Sequence, residues 1–105
     1  MDFSYVVAVG DGDETFIATF IQTFEGNTSK IINEMRDAKS NGKLEELKSH
    51  AHQLKPSLEM LHLSCLDQCV TINQSPEKAT SQMIEDIQSQ CAEAVAGMRE
   101  YFKVG

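Results

Sequence analysis

The chain has 105 residues, enough for one domain, spanning 1–105, with a single apolar core that needs no disulfide or metal staple. Apolar residues make up 41% and charged residues 24%, ordinary for a globular protein, while sixteen acidic against nine basic side chains give a formal charge of −7 that repels a nucleic-acid backbone. No apolar run approaches the ~20 residues of a membrane span, and the start lacks a basic, apolar, small-residue leader pattern. Cys65, Cys69 and Cys91 form an odd set that argues against a closed disulfide framework and fits a reducing compartment. The expectation is a cytoplasmic monomer that binds neither nucleic acid nor membrane.

Two prolines and few glycines after position 42 favour helices over strands. Asp2 to Val9 is β-branched and aromatic, but a lone strand has no partner here, so it is expected as a short helix or extended segment lying across the rest. From Gly12 to Phe24, Phe16, Ile17, Phe20, Ile21 and Phe24 recur at helical steps, behind acids at Asp11 to Glu14 that suit a helix N-terminus. Glu25-Gly-Asn-Thr-Ser reads as a bend. A second helix then carries Ile31, Ile32, Met35 and Ala38 inward and ends near Asn41-Gly42.

A third helix is expected from Lys43 to Leu61, with Leu44, Leu47, Ala51, Leu54, Leu58 and Leu61 as its stripe. A fourth, from Ser64 to Asn73, carries Leu66, Cys69, Val70 and Ile72. Ser75 and Pro76 read as the N-cap and first position of a last helix over 76–102, packed through Ala79, Met83, Ile84, Ile87, Cys91, Ala94, Val95, Met98 and Phe102. The pattern predicts an all-α fold: an antiparallel up-and-down four-helix bundle with short connections and a short extra N-terminal helix or segment.

Three histidines lie on or beside the third helix, and a helical wheel separates them. With Leu44 at zero and about 100° per residue, the apolar stripe centres near roughly 300°. His50 falls near roughly 240° and His62 near 0°, both on its flanks, whereas His52 falls near 80° and points to water. Lys48, Lys55 and Glu59 lie on the same exposed ridge as His52. Such a ridge supplies a nitrogen nucleophile together with ammonium groups that offset the charge of a phosphoryl group placed on it. A solvated helix face with a histidine on it fits the same geometry, since exposed His beside Lys is common. Pro56 lies mid-helix and removes the N–H that would reach the carbonyl of His52, at a cost of about 3 kcal/mol.

The stretch Ala51-His-Gln-Leu-Lys-Pro-Ser-Leu-Glu-Met-Leu resembles the signature of histidine-containing phosphotransfer (HPt) domains. That signature sets the phosphorylated histidine two residues before an apolar residue and three before a lysine, followed by a small residue and then Ser or Ala: here His52, Leu54, Lys55, Pro56 and Ser57. The likeness extends over nearly the whole chain and implies a four-helix bundle in a two-component phosphorelay. It implies that His52 accepts phosphate through Nε2, that Lys55 stabilises the phosphoryl group, and that Gln74 stands where some members hydrogen-bond the imidazole. Lys48, Pro56, Ser57 and Glu59 would form the ridge that docks a receiver. The implied partners are response-regulator receiver domains and hybrid histidine kinases, with Mg²⁺ supplied by the receiver and no cofactor held by this chain. No Gly-rich phosphate cradle occurs, so the chain is expected to be a phosphotransfer intermediate without kinase activity of its own. Two positions depart from the family: Pro56 stands where glycine is usual after the lysine, and His62 where a second glycine is common.

Two other readings compete. His62, Cys65 and Cys69 share a helical spacing that soft-ligand Zn²⁺ sites use, with His50 or His52 as a further donor; yet Cys69 also fits the core stripe. A phosphorylation-silent helical binding module is the other. No cysteine sits in an electropositive niche beside a base, so cysteine nucleophilic catalysis is not expected.

Overall fold

In the computed structural model, which describes residues 1–104, every regular element is helical. Helix α1 spans Ser4–Gly10, α2 Glu14–Ser40, α3 Leu44–Met60, α4 Leu66–Gln74 and α5 Ser81–Phe102, with a 3₁₀ turn at Pro76–Lys78 between the last two. The molecule is a rod of 44 × 19 × 19 Å. At 1.5 Å per residue α2 is about 40 Å long, so this one helix runs almost the full length. Helix α2 packs against both α3 and α5, and α3 packs against α4. No helix among the described residues is long and apolar enough to cross a membrane.

The expected bend at Glu25 to Ser29 is absent, and α2 is continuous through it. Burial explains why. Ile17, Ile21, Phe24, Thr28, Ile31, Ile32, Met35 and Ala38 form one unbroken inward stripe, with Thr28 only 2% exposed. The Thr28 hydroxyl donates to the carbonyl of Phe24 at 2.8 Å, which satisfies it inside the helix. Gly26 and Asn27 cost the helix about 1 kcal/mol or less each, less than the ~1.5–3 kcal/mol from burying each large apolar side chain beyond them.

At the start of α2, Asp13 is the N-cap, its carboxylate accepting from Phe16 N–H at 3.1 Å. Phe16 itself, expected in the core, is 43% exposed, and Leu44 at the start of α3 is 42% exposed. Both occupy the first turns of their helices. The last helix also begins later than expected. Ser75 and Pro76 open the short 3₁₀ turn, and the N-cap of α5 is Thr80, whose hydroxyl accepts from Met83 N–H at 3.1 Å.

The N-terminal segment is a helix, α1, held by Val6 and Gly10, both buried. Phe3 packs on Tyr101 and Phe102 of α5, where Gly97 leaves room for its ring. Asp2 N–H donates to the carbonyl of Leu61 at 2.9 Å, tying the chain start to the end of α3. Arg99 and Glu25 pair across α5 and α2 at 3.0 Å, a half-exposed contact worth at most about 1 kcal/mol.

Two glycine substitutions test this account by chemical denaturation. At Gly26 a Cβ meets nothing within 4 Å, so Gly26→Ala should stabilise the protein by about 1 kcal/mol; a loss of stability would mean that α2 does bend there. At Gly10 a Cβ would lie 2.7 Å from Ile17 Cγ1, so Gly10→Ala should destabilise by about 1–3 kcal/mol.

Candidate functional site

Helix α3 and the residues that end it present three histidines to three different surroundings. Leu47, Ala51, Leu54, Leu58 and Leu61 are each 0% exposed and seat the helix against its neighbours. His50 consequently faces α2, where its Nδ1 lies 3.1 Å from Glu34 Oε2. That nitrogen is buried without an aligned hydrogen bond, so the contact is one of proximity rather than a formed donor–acceptor pair. His62 lies just beyond α3. His52 is exposed on the outward side of the helix, as the wheel predicts.

His62 explains its own position. Its φ is +50°, in the left-handed region, and it ends α3 as the reversal residue of a Schellman motif. His62 N–H donates to the carbonyl of Glu59 at 3.1 Å, and Leu63 N–H to that of Leu58 at 3.1 Å. Leu58 and Leu63 are both buried, the apolar contact that accompanies this cap. A position with this backbone favours glycine, the residue that the HPt resemblance places there.

Around His52 the surface forms a shallow depression lined by Glu45, Lys48, Ser49, His52 and Asn73. Lys48 is thus beside His52, while Lys55 is half-buried and sits near enough to Cys69 to act on its thiol. Pro56 and Glu59 are exposed on the outward side. Pro56 stands inside α3, which continues past it to Met60.

Two expected site residues lie elsewhere. Ser57 is 8% exposed and turned inward, so it does not belong to an exposed ridge. Its wheel angle, roughly 140° from His52, already carries this signal. Gln74 is exposed at the last position of α4 and is not among the residues lining the depression; Asn73 is. The cause is helical phase. Cys69 is fully buried, and its thiol reaches the carbonyl of Ala51 at 3.2 Å, which sets the face of α4 that meets α3. Asn73 is one turn further along that same face, and Gln74 is turned about 100° away from it. Asn73 can donate and accept hydrogen bonds, so it is suited to hold an imidazole in one orientation. Glu45 and Ser49, also absent from the expected set, stand seven and three residues before His52 on its side of the helix.

The cysteines are core residues. Cys65, Cys69 and Cys91 are 1%, 0% and 4% exposed, and burial pushes their thiols up to about 11, 12 and 12. Neutral at physiological pH, they are poor nucleophiles and poor metal ligands. His62 is exposed while Cys65 and Cys69 point into the core, so the three do not converge. Among the described residues no group of three or more His, Cys, Asp or Glu side chains is placed to hold a metal ion.

Comparison of the chain with protein-family models, with curated proteins and with solved structures finds no match.

Three measurements follow. His62→Gly should stabilise the protein by about 1 kcal/mol by relieving the left-handed backbone; a destabilisation would contradict the cap geometry. All three cysteines should resist alkylation at pH 8 in the native protein and react promptly in denaturant, as read by intact mass. Their raised pKa values also mean that the folded state binds more protons than the unfolded one above pH 9, so stability should decline as pH rises from about 9 towards 12.

Proposed function

We propose that the chain is a histidine phosphotransfer protein of the HPt type, an antiparallel up-and-down four-helix bundle in which His52 carries the phosphoryl group. The observation that carries this reading is the isolation of His52. It is the histidine that stands exposed within a helix, on the side opposite five fully buried residues, beside a lysine and an amide. The nucleophile is thereby rigid, open to a large partner, and close to positive charge.

In the proposed reaction, neutral His52 attacks the phosphorus of an aspartyl phosphate in line through Nε2, with its proton held on Nδ1. The N–P bond forms as the P–O bond to the aspartate breaks, and the carboxylate leaves. Transfer onward reverses these roles, with the carboxylate of a second receiver as the attacking group. Lys48 and Lys55 offset the charge of the phosphoryl oxygens, and Asn73, in place of Gln74, orients the ring. Receiver domains, alone or within hybrid kinases, supply both the aspartate and the Mg²⁺ that their acidic pockets hold.

Labelling by a phosphorylated receiver domain tests the proposal. Acid-labile, base-stable phosphate should appear on the intact chain and vanish in His52→Gln, with unchanged helicity. His50→Gln and His62→Gln should accept phosphate normally, and Lys55→Ala should accept it more slowly. Label retained by His52→Gln but lost from either other histidine variant would sink the assignment.

A further inference from the structure

A second charged hollow lies between the end of α2 and the start of α5, lined by Arg36, Lys39, Ser40, Ser81, Ile84 and Glu85. It shares no lining residue with the depression at His52. Its volume is about 260 Å³, room for a phosphate and several further atoms. In a chain of formal charge −7, two cations gathered beside one carboxylate make a local reversal of sign.

Arg36 is already held in place. Its Nη1 donates to Asn33 Oδ1 at 3.3 Å, and its Nη2 donates to Gln88 Oε1 across the helix pair. Both acceptors are neutral amides, so they fix the guanidinium without neutralising it. Two of its five N–H groups are used there, and three remain for an anion. Among the described residues, neither Arg36 nor Lys39 has a carboxylate within 4.0 Å. Lys39 also lies in the last turn of α2, where a cation favours the helix dipole, but that role leaves its ammonium donors free. Ser40, at the end of α2, and Ser81, at the start of α5, also line the hollow from its two sides.

We propose that this hollow binds the dianion of phosphate, free or as the monoester of a small molecule. The guanidinium fork takes two oxygens, the ammonium group a third, and the serine hydroxyls complete the shell. Glu85 opposes the anion and keeps the affinity modest.

The test is a titration of the full chain with sodium phosphate and, separately, with glycerol 3-phosphate, at pH 8 and constant ionic strength, followed by NMR. Saturable shifts are expected at the Arg36 Nε–H and at the amides of Ser40 and Ser81. Arg36→Gln and Lys39→Gln should each weaken binding about tenfold, Glu85→Gln should tighten it several-fold, and His52→Gln should leave it unchanged. Binding of both ligands supports the site with either source, and binding of phosphate alone supports it for the free ion. Shifts that stay linear into tens of millimolar, that persist in folded Arg36→Gln, or that weaken in Glu85→Gln overturn the proposal.

Discussion

Four side chains of α3, Leu47, Ala51, Leu54 and Leu58, and that of its C-cap Leu61 are withdrawn completely from solvent, and their burial sets the rotation of that helix about its own axis. At about 1.5–3 kcal/mol for each leucine, a turn of the helix large enough to bring His52 inward would cost an amount comparable to the whole stability of a domain this size. The same rotation turns His50 towards Glu34 of α2, aims Ser57 at the core, and leaves Lys48, His52, Pro56 and Glu59 outside. The candidate site is therefore a consequence of core packing, with no loop needed to build it.

A second constraint comes from α4. Cys69 fits wholly within the core and meets the carbonyl of Ala51, the residue next to His52. This contact sets the axial register of α4 on α3 and so brings Asn73 into the depression that His52 also lines. At the far end, the left-handed His62 reverses the chain, and the bond from Asp2 to Leu61 closes the N-terminal segment over that end. The helix that carries His52 is thus pinned at its middle and at its C-terminus, which suits the proposed role of His52 as a nucleophile.

Much of this organisation is legible in the sequence. The bounds of α3 and most of the inward stripes of α2, α3 and α5 follow from 3.6-residue periodicity, as does the exposure of His52. The polar run at Glu25 to Ser29 misleads because local propensity and tertiary burial disagree there. Thr28 reads as a turn residue, yet it is the core residue that joins two apolar halves of one helix. The late start of α5 has the opposite cause: Ser75 and Pro76 are good openers, but the turn they open lasts only three residues before Thr80 caps the helix proper. At the site, spacing within one helix is readable and spacing between helices is not. The wheel alone excludes Ser57 and includes Glu45 and Ser49, whereas choosing Asn73 over Gln74 requires knowing which face of α4 meets α3, information held in the burial of Cys69.

The central claim is that a specific nitrogen of one histidine carries phosphate. The most direct measurement is long-range ¹H–¹⁵N NMR of the histidine-labelled chain after exposure to a phosphorylated receiver domain, which distinguishes the three imidazoles and their two nitrogens. The account predicts that Nε2 of His52 alone shifts to the position of a phosphorylated nitrogen, while His50 and His62 stay as they were. A shift at either of those residues with His52 unmoved, or at Nδ1 of His52, would contradict it.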